Sequence, residues 1–399
     1  MSTVYLHIGT AKTGTTAIQR FLPMNREILN RGDYDHPLMP FHFPRMGDGR
    51  NAHFLTLWND DSKWAKRWDK GFAVIKEAAE RFGHIIMSDE VLWAAGAQDG
   101  FWERVTDGFS KTGVELKIVV YLRRQDEMAE SHWNQMVKGK PKLSQGFSEF
   151  VTAGEYEASF PLEYDKGLDR IASFVGKDNI TVRAYEAGQF KEGSLFADFL
   201  DAVGLSLTDE YVFPEHVVNT RLPENVVEIK RLINTVDSYK DAEVPNYFRE
   251  VIRQTYGLEM LNEIPKHKVG RFSAEERQSF MERFEPGNAY VAREYLHRAT
   301  GRLFEEEPKP LPKYEPDEKE LMQDAVRVLA GASVYEYRKR RELEAQVLKL
   351  NEQMDALERR AAEQSSQMKK LKKQMDELFN SAPFRALRKL KKSKEDDAD

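Results

Sequence analysis

The chain contains no cysteine. That one absence removes disulfide bridges, cysteine-ligated zinc and thiol catalysis together, and it fits a reducing compartment. No apolar run is long enough to span a bilayer. The opening MSTVYLHIGT passes straight into apolar alternation, without the basic start and long apolar stretch of a secretory signal, so a cytoplasmic location is the expectation. An excess of positive charge is missing as well. The formal net charge of -6 speaks against non-specific nucleic-acid binding by the chain as a whole.

What is present is a long chain with ample core material. Its 399 residues exceed one average domain, and the 41% hydrophobic and 11% aromatic content is enough for a large packed core. Short β-rich runs at 3–9, 84–88, 116–122 and 179–185 alternate with helical stretches at 15–30, 70–82, 125–138 and 163–176. The runs are almost continuously apolar, as strands of a parallel sheet covered on both faces must be. The alternation predicts an α/β fold, a doubly wound, P-loop-like parallel sheet flanked by helices. From 194 to 300 the pattern is mainly helical, and Ser273 with Glu276 makes a capping box.

Composition then breaks twice. A Pro- and charge-rich stretch at 305–316 reads as an extended linker between a domain at 1–304 and a helical stem at 317–380. In the stem, Leu343, Leu350, Leu357, Leu371 and Leu378 share one heptad position, with Gln364 the sole polar member. Val347, Met354, Ala361, Met368 and Met375 share the other. Leu at d with Val and Met at a predicts a left-handed α-helical coiled coil of two strands, and so a homodimer. Residues 381–399 form a basic amphipathic tail with an acidic tip. A solvated tail is the plainer reading, and a weak contact with a membrane surface or another protein is the alternative.

The segment HIGTAKTGTTAIQRF, residues 7–21, has the two glycines of a nucleotide-phosphate loop, Gly9 and Gly14, at the expected separation. The lysine that should follow the second glycine is replaced by Thr15, and the one lysine present, Lys12, lies inside the loop. Strand, loop and helix start still converge backbone N–H groups on one point, and Thr15 and Thr16 add hydroxyl donors. The loop therefore suits a phosphate, without the usual arrangement for magnesium-assisted phosphoryl transfer. A second element follows the apolar run IVVYL. Arg123 ends that strand, and Ser131 follows eight residues later on the next helix. An arginine at a strand's carboxyl end faces the ligand crevice of an open α/β sheet, where a guanidinium fork and a hydroxyl can clamp a second phosphate.

These residues resemble the sulfotransferases that use 3′-phosphoadenosine 5′-phosphosulfate (PAPS), and among them the bacterial carbohydrate-type members. The family's P-K-[ST]-G-[ST]-[ST] loop is matched by AKTGTT except at Ala11, and its strand-end Arg with a Ser eight residues on is matched by Arg123 and Ser131. The similarity runs over roughly residues 3–300 and leaves out the stem and tail. It implies metal-independent, in-line transfer of a sulfuryl group from PAPS to a hydroxyl of a glycan or lipid-linked saccharide. Lys12, Thr13, Gly14, Thr15 and Thr16 would hold the 5′-phosphosulfate, Arg123 and Ser131 the 3′-phosphate, and Lys12 would stabilise charge on the leaving oxygens. For the general base, Glu90 beyond the strand HIIMS is the first choice and His53 in GRNAHF the second. Glu90 can equally cap a helix or orient Lys12, Asp89 can be a helix N-cap, and Trp93, Trp102 and Trp133 fit core packing better than a sugar platform. Two other readings remain: a P-loop small-molecule kinase using ATP, and a catalytically inactive coiled-coil scaffold.

Overall fold

The computed structural model describes residues 1–43, 47, 49–59, 65–139, 143–154, 161–214, 222–236, 244–257, 269–307 and 311–386. Five strands form one parallel sheet: β1 (Thr3–His7), β2 (Tyr34–Asp35), β3 (His84–Ser88), β4 (Glu115–Leu122) and β5 (Ile180–Ala184). Their order is β2-β3-β1-β4-β5. After β1 the chain moves toward β2 and after β4 toward β5. The direction of winding therefore reverses between β1 and β4, and the carboxyl ends of strands at such a reversal are where open α/β sheets bind their ligands.

The strand assignment follows from two-faced burial. Along β4, Leu116, Ile118, Val120 and Leu122 enter one core cluster with Val4, Leu6, Ile85 and Met87. The intervening Val119 and Tyr121 enter another, with Ile18, Phe21, Leu22 and Phe199. Side chains alternate with period two, and both faces are covered, so the run reads as continuously apolar. The two-residue edge strand β2 escaped the sequence because it is too short to show any period.

The expected helix at 15–30 is two helices, Thr15–Met24 and Arg26–Arg31. Pro23 lies inside the first and brings no N–H, so the ladder weakens where it ends. Asn25 sits in the break, fully buried, and exchanges hydrogen bonds with the Val212 backbone through Nδ2 (2.8 Å) and Oδ1 (2.7 Å). The helices Gln125–Lys138 and Tyr164–Val175 fall within a residue of their predicted limits. The Ser273–Glu276 capping box is present at the start of Ala274–Glu282. Trp93, Trp102 and Trp133 are all buried, which makes them core residues and excludes an exposed sugar platform.

Residues 311–314 run extended but are bonded to the sheet domain. Gly270 N–H donates to the Pro312 carbonyl (2.9 Å), and Tyr314 N–H donates to the Gly270 carbonyl (2.7 Å). The Arg271 guanidinium lies over both the Trp133 and Tyr314 rings, at 4.6 and 4.5 Å from their centroids. The chain divides into two units, Met1–Ala325 and Val326–Asp399. A single helix, Glu318–Phe379, makes up most of the second. The last thirteen residues of the basic tail, 387–399, lie outside the described residues. Among the described residues no helix is long and apolar enough to cross a membrane.

Candidate functional site

The loop after β1 begins as a continuation of the sheet. Ile8 N–H donates to the Val119 carbonyl (3.0 Å), Tyr121 N–H to Gly9 (2.8 Å) and Thr10 N–H to Tyr121 (2.9 Å). The Thr10 and Thr13 hydroxyls are spent on carbonyls, of Tyr121 and Thr10 respectively, and both residues are fully buried. The chain then turns through left-handed backbone at Lys12 (φ 65°) and Gly14 (φ 72°). The positive φ favours glycine at 14, and a Cβ there would lie 2.3 Å from Leu195 Cδ2, so the leucine tip would have to shift.

Among the described residues the backbone N–H groups of Lys12 through Thr16 meet no acceptor. The first of the helix's own short-range bonds comes at Ala17, whose N–H reaches the Gly14 carbonyl (2.8 Å). Five consecutive amides without a backbone acceptor, the last two at a helix start, are donors of the kind that favour an anion.

Arg123 closes on this loop. Its Nη1 donates to the Lys12 carbonyl (3.2 Å), its Nε to Glu127 Oε2 (2.8 Å), and its own carbonyl accepts the Tyr164 hydroxyl (2.6 Å). The Lys12 ammonium is pushed below the usual lysine range, first by lost hydration and then by Arg123, with Glu90 acting in the opposite sense. Lys12 keeps contact with solvent. Ser131 is half-buried on the helix Gln125–Lys138, without a hydrogen bond to the loop among the described residues. Its neighbour His132 feels the loop, since burial and then the Lys12 charge lower its pKa.

The other wall is an ionic cluster at the end of β3. Register places Ser88 beside His7, so Asp89 and Glu90 emerge next to the loop. The Glu90 backbone touches Gly9, where a Cβ would approach the Glu90 carbonyl to 3.0 Å. Glu90 accepts a hydrogen bond from Gln19 Nε2 (2.8 Å) and pairs with Arg50 Nη1 (3.3 Å). Asp89 is fully buried and takes Arg50 Nε (2.9 Å) and Nη2 (3.0 Å) as a fork. His53 Nδ1 is 3.0 Å from the same carboxylate. Burial works to raise the Asp89 pKa, but the bonds from His53 and Arg50 outweigh it, and the carboxyl stays below its ordinary range. Asp89 also accepts Val91 N–H (2.9 Å), yet the N-cap position of the next helix belongs to Val91. Arg50 reaches the cluster because Gly49 lies flat on the first helix. A Cβ at 49 would fall 1.6 Å from the Gln19 carbonyl oxygen.

Lys12, Gly14, Thr15, Thr16, Glu90, His53 and Arg123 thus surround one end of the sheet. Thr13 offers only its backbone amide, and Ser131, next to His132 in the chain, makes no bond into the site among the described residues. Sequence reasoning missed Arg50, Gln19 and the Asp89–His53 pair. Arg50, three residues before His53, gave the only signal.

No protein-family model matches the chain. An uncharacterized protein of Archaeoglobus fulgidus is 28% identical over 194 residues, which is 48% of this chain and 49% of that protein. The chain thus spans about half the length of the curated relative it matches. The crystal structure of a sulfotransferase from Alicyclobacillus acidocaldarius superposes with a TM-score of 0.34 at 16% identity, over 61% of this chain and 94% of the other.

Proposed function

We propose that the chain is a PAPS-dependent sulfotransferase acting on a hydroxyl of a glycan or other saccharide-containing acceptor. The observation that carries this reading is Lys12, set within an amide-lined turn and tied by its carbonyl to the strand-end Arg123. The donor set of residues 12–16 fits the oxygens of one anionic group. Arg123 supplies a second cationic group at the neighbouring strand, bonded through Nη1 to the Lys12 carbonyl and through Nε to Glu127, as a nucleotide with anionic groups at two positions would use. An ATP-type loop would carry its lysine where Thr15 stands. The saccharide class of acceptor rests on the sequence resemblance.

When bound, PAPS supplies the sulfuryl group and the bisphosphate that leaves. The chain's part is electrostatic and positional. The loop amides and Lys12 face the place where negative charge develops, at fixed positions that need no reorganisation. Glu90, within the electrostatic reach of Lys12 and held at its carboxylate by Gln19 and Arg50, takes the proton of the acceptor hydroxyl. One observation favours His53 as a second candidate for that proton. The His53 Nδ1 lies 3.0 Å from the Asp89 carboxylate and 3.3 Å from Arg50 Nη2; in the tautomer that donates Nδ1–H to Asp89, the Nε2 lone pair is the base.

Calorimetry with adenosine 3′,5′-bisphosphate, ATP and AMP tests the nucleotide class. Preferential binding of the bisphosphate is expected, and Arg123→Ala should cost about 1.5–3 kcal/mol of it while sparing AMP. Tight ATP binding with magnesium-dependent turnover would favour the kinase reading instead. The base is identified by comparing Glu90→Gln with His53→Asn. The true base should lose about 10²–10⁴ in kcat, with donor affinity retained.

A further inference from the structure

The helix Glu318–Phe379 leaves its apolar seam in water. The d-position leucines from Leu343 to Leu378, Val347 and the a-position methionines are each more than half exposed. We infer that this seam is covered by a second copy of the same helix, aligned parallel and in register, with Gln364 of the two copies paired to each other. The inference is independent of the activity proposed above.

Three observations select this occupant and this orientation. The seam keeps a strict seven-residue repeat from 343 to 378, about 50 Å of helix, and only another helix with the same repeat stays in contact over that length. On the flanks, parallel pairing makes one opposite-charge contact and no like-charge one. With Leu343 at d, Lys339 is a g residue and Glu344 an e residue, and a g residue faces the e residue five positions further along the partner. Lys339 therefore meets Glu344 of the partner subunit, twice by symmetry. The following g–e pairs, Gln346 with Asn351 through Gln367 with Lys372, bring no like charges together.

An antiparallel pair that overlaps the whole seam fares worse. It sets Leu343 against Met375, Glu358 against Glu358 and Arg360 against Arg360, and it buries the Gln364 amide beside Met354. In the parallel pair the two Gln364 amides satisfy one another. A membrane surface fits less well than either, because acidic Glu344 and Glu358 border the narrow seam. Parallel pairing has a structural consequence: both chains enter the stem at one end.

The absence of native cysteine makes the test clean, since any introduced thiol is unique. Full-length Gln364→Cys, Leu371→Cys, Arg360→Cys and Glu352→Cys are oxidised in parallel, and wild-type mass is measured by light scattering. A dimeric mass is expected. Gln364→Cys and Leu371→Cys, both at d, should cross-link at least about tenfold faster than the other two, because facing d residues lie within disulfide reach. Leu371→Cys keeps Gln364, so it reads orientation even if the polar layer matters to register. Cross-linking through Arg360→Cys but neither d position would show an antiparallel pair and overturn the inference. A monomeric mass would exclude a second copy as the occupant, and three or four copies would exclude two-stranded pairing.

Discussion

Arg50→Ala is the most informative single change at the ionic cluster. It removes both bonds of the Asp89 fork while the carboxylate stays where it is. The Asp89 side chain is 0% exposed and that of Arg50 18%, so water can reach the gap only from the arginine side. Deleting one partner of a buried ion pair costs about 3–5 kcal/mol. Asp89 keeps the His53 and Val91 donors, and some water enters, which places the expected loss at the lower end, about 3 kcal/mol. The sign with pH follows from the depressed Asp89 pKa. Its contribution is present above the unfolded value near ~3.9 and is lost as pH falls through the folded value. Without Arg50, burial dominates and the pKa rises, so the deficit of the variant should shrink as the solution is acidified from neutrality toward ~4. Urea unfolding of wild type, Arg50→Ala, Asp89→Asn and the double variant measures this directly. A coupling of at least ~2 kcal/mol is expected for residues in contact. A loss below ~1 kcal/mol with additive single variants would refute the claim that the pair is buried and mutually dependent.

Acid sensitivity should come from two neutral histidines. Burial lowers the pKa of His7 and of His36 to about 4, and both are fully buried. Their contribution is complete above the unfolded pKa of ~6.5 and falls by roughly 1.4 kcal/mol per pH unit for each residue as pH drops toward the folded value, then levels off. His36→Asn should flatten that slope by about half in unfolding curves taken across this interval. Lys12→Ala should leave the unfolding midpoint nearly unchanged, because Lys12 is exposed. It should reduce kcat far more than donor affinity, since its charge matters most in the transition state. Equal losses in a binding and a turnover assay would remove it from the chemistry. Gly49→Ala must displace backbone that lies within 1.6 Å of the new carbon. It should cost roughly 3 kcal/mol by chemical denaturation, and a neutral result would mean that the segment carrying Arg50 is not pressed against the helix.

The sequence by itself determined the elements whose signal is local. Two-faced burial writes itself into IVVYL and HIIMS as unbroken apolar runs, a capping box needs only Ser273 and Glu276, and the heptads of the stem need only their spacing. The loop was legible for the same reason, because Gly9, Lys12, Gly14 and the two threonines that follow lie within eight residues. It stopped short where the cause is not local. Pro23 marks the break at Asn25 locally, but the Val212 backbone that bonds the Asn25 side chain there lies 187 residues away in the chain. The bonds of residues 311–314 depend on Gly270.

Only the tertiary structure decided how the site is assembled. Strand order put the end of β3 against the first loop, and that neighbourhood joined Glu90 to Gln19 and Arg50, and His53 to Asp89. No spacing in the sequence announces a carboxylate fork between residues 50 and 89, because its energy comes from removing both groups from water together, and burial is a property of the folded chain.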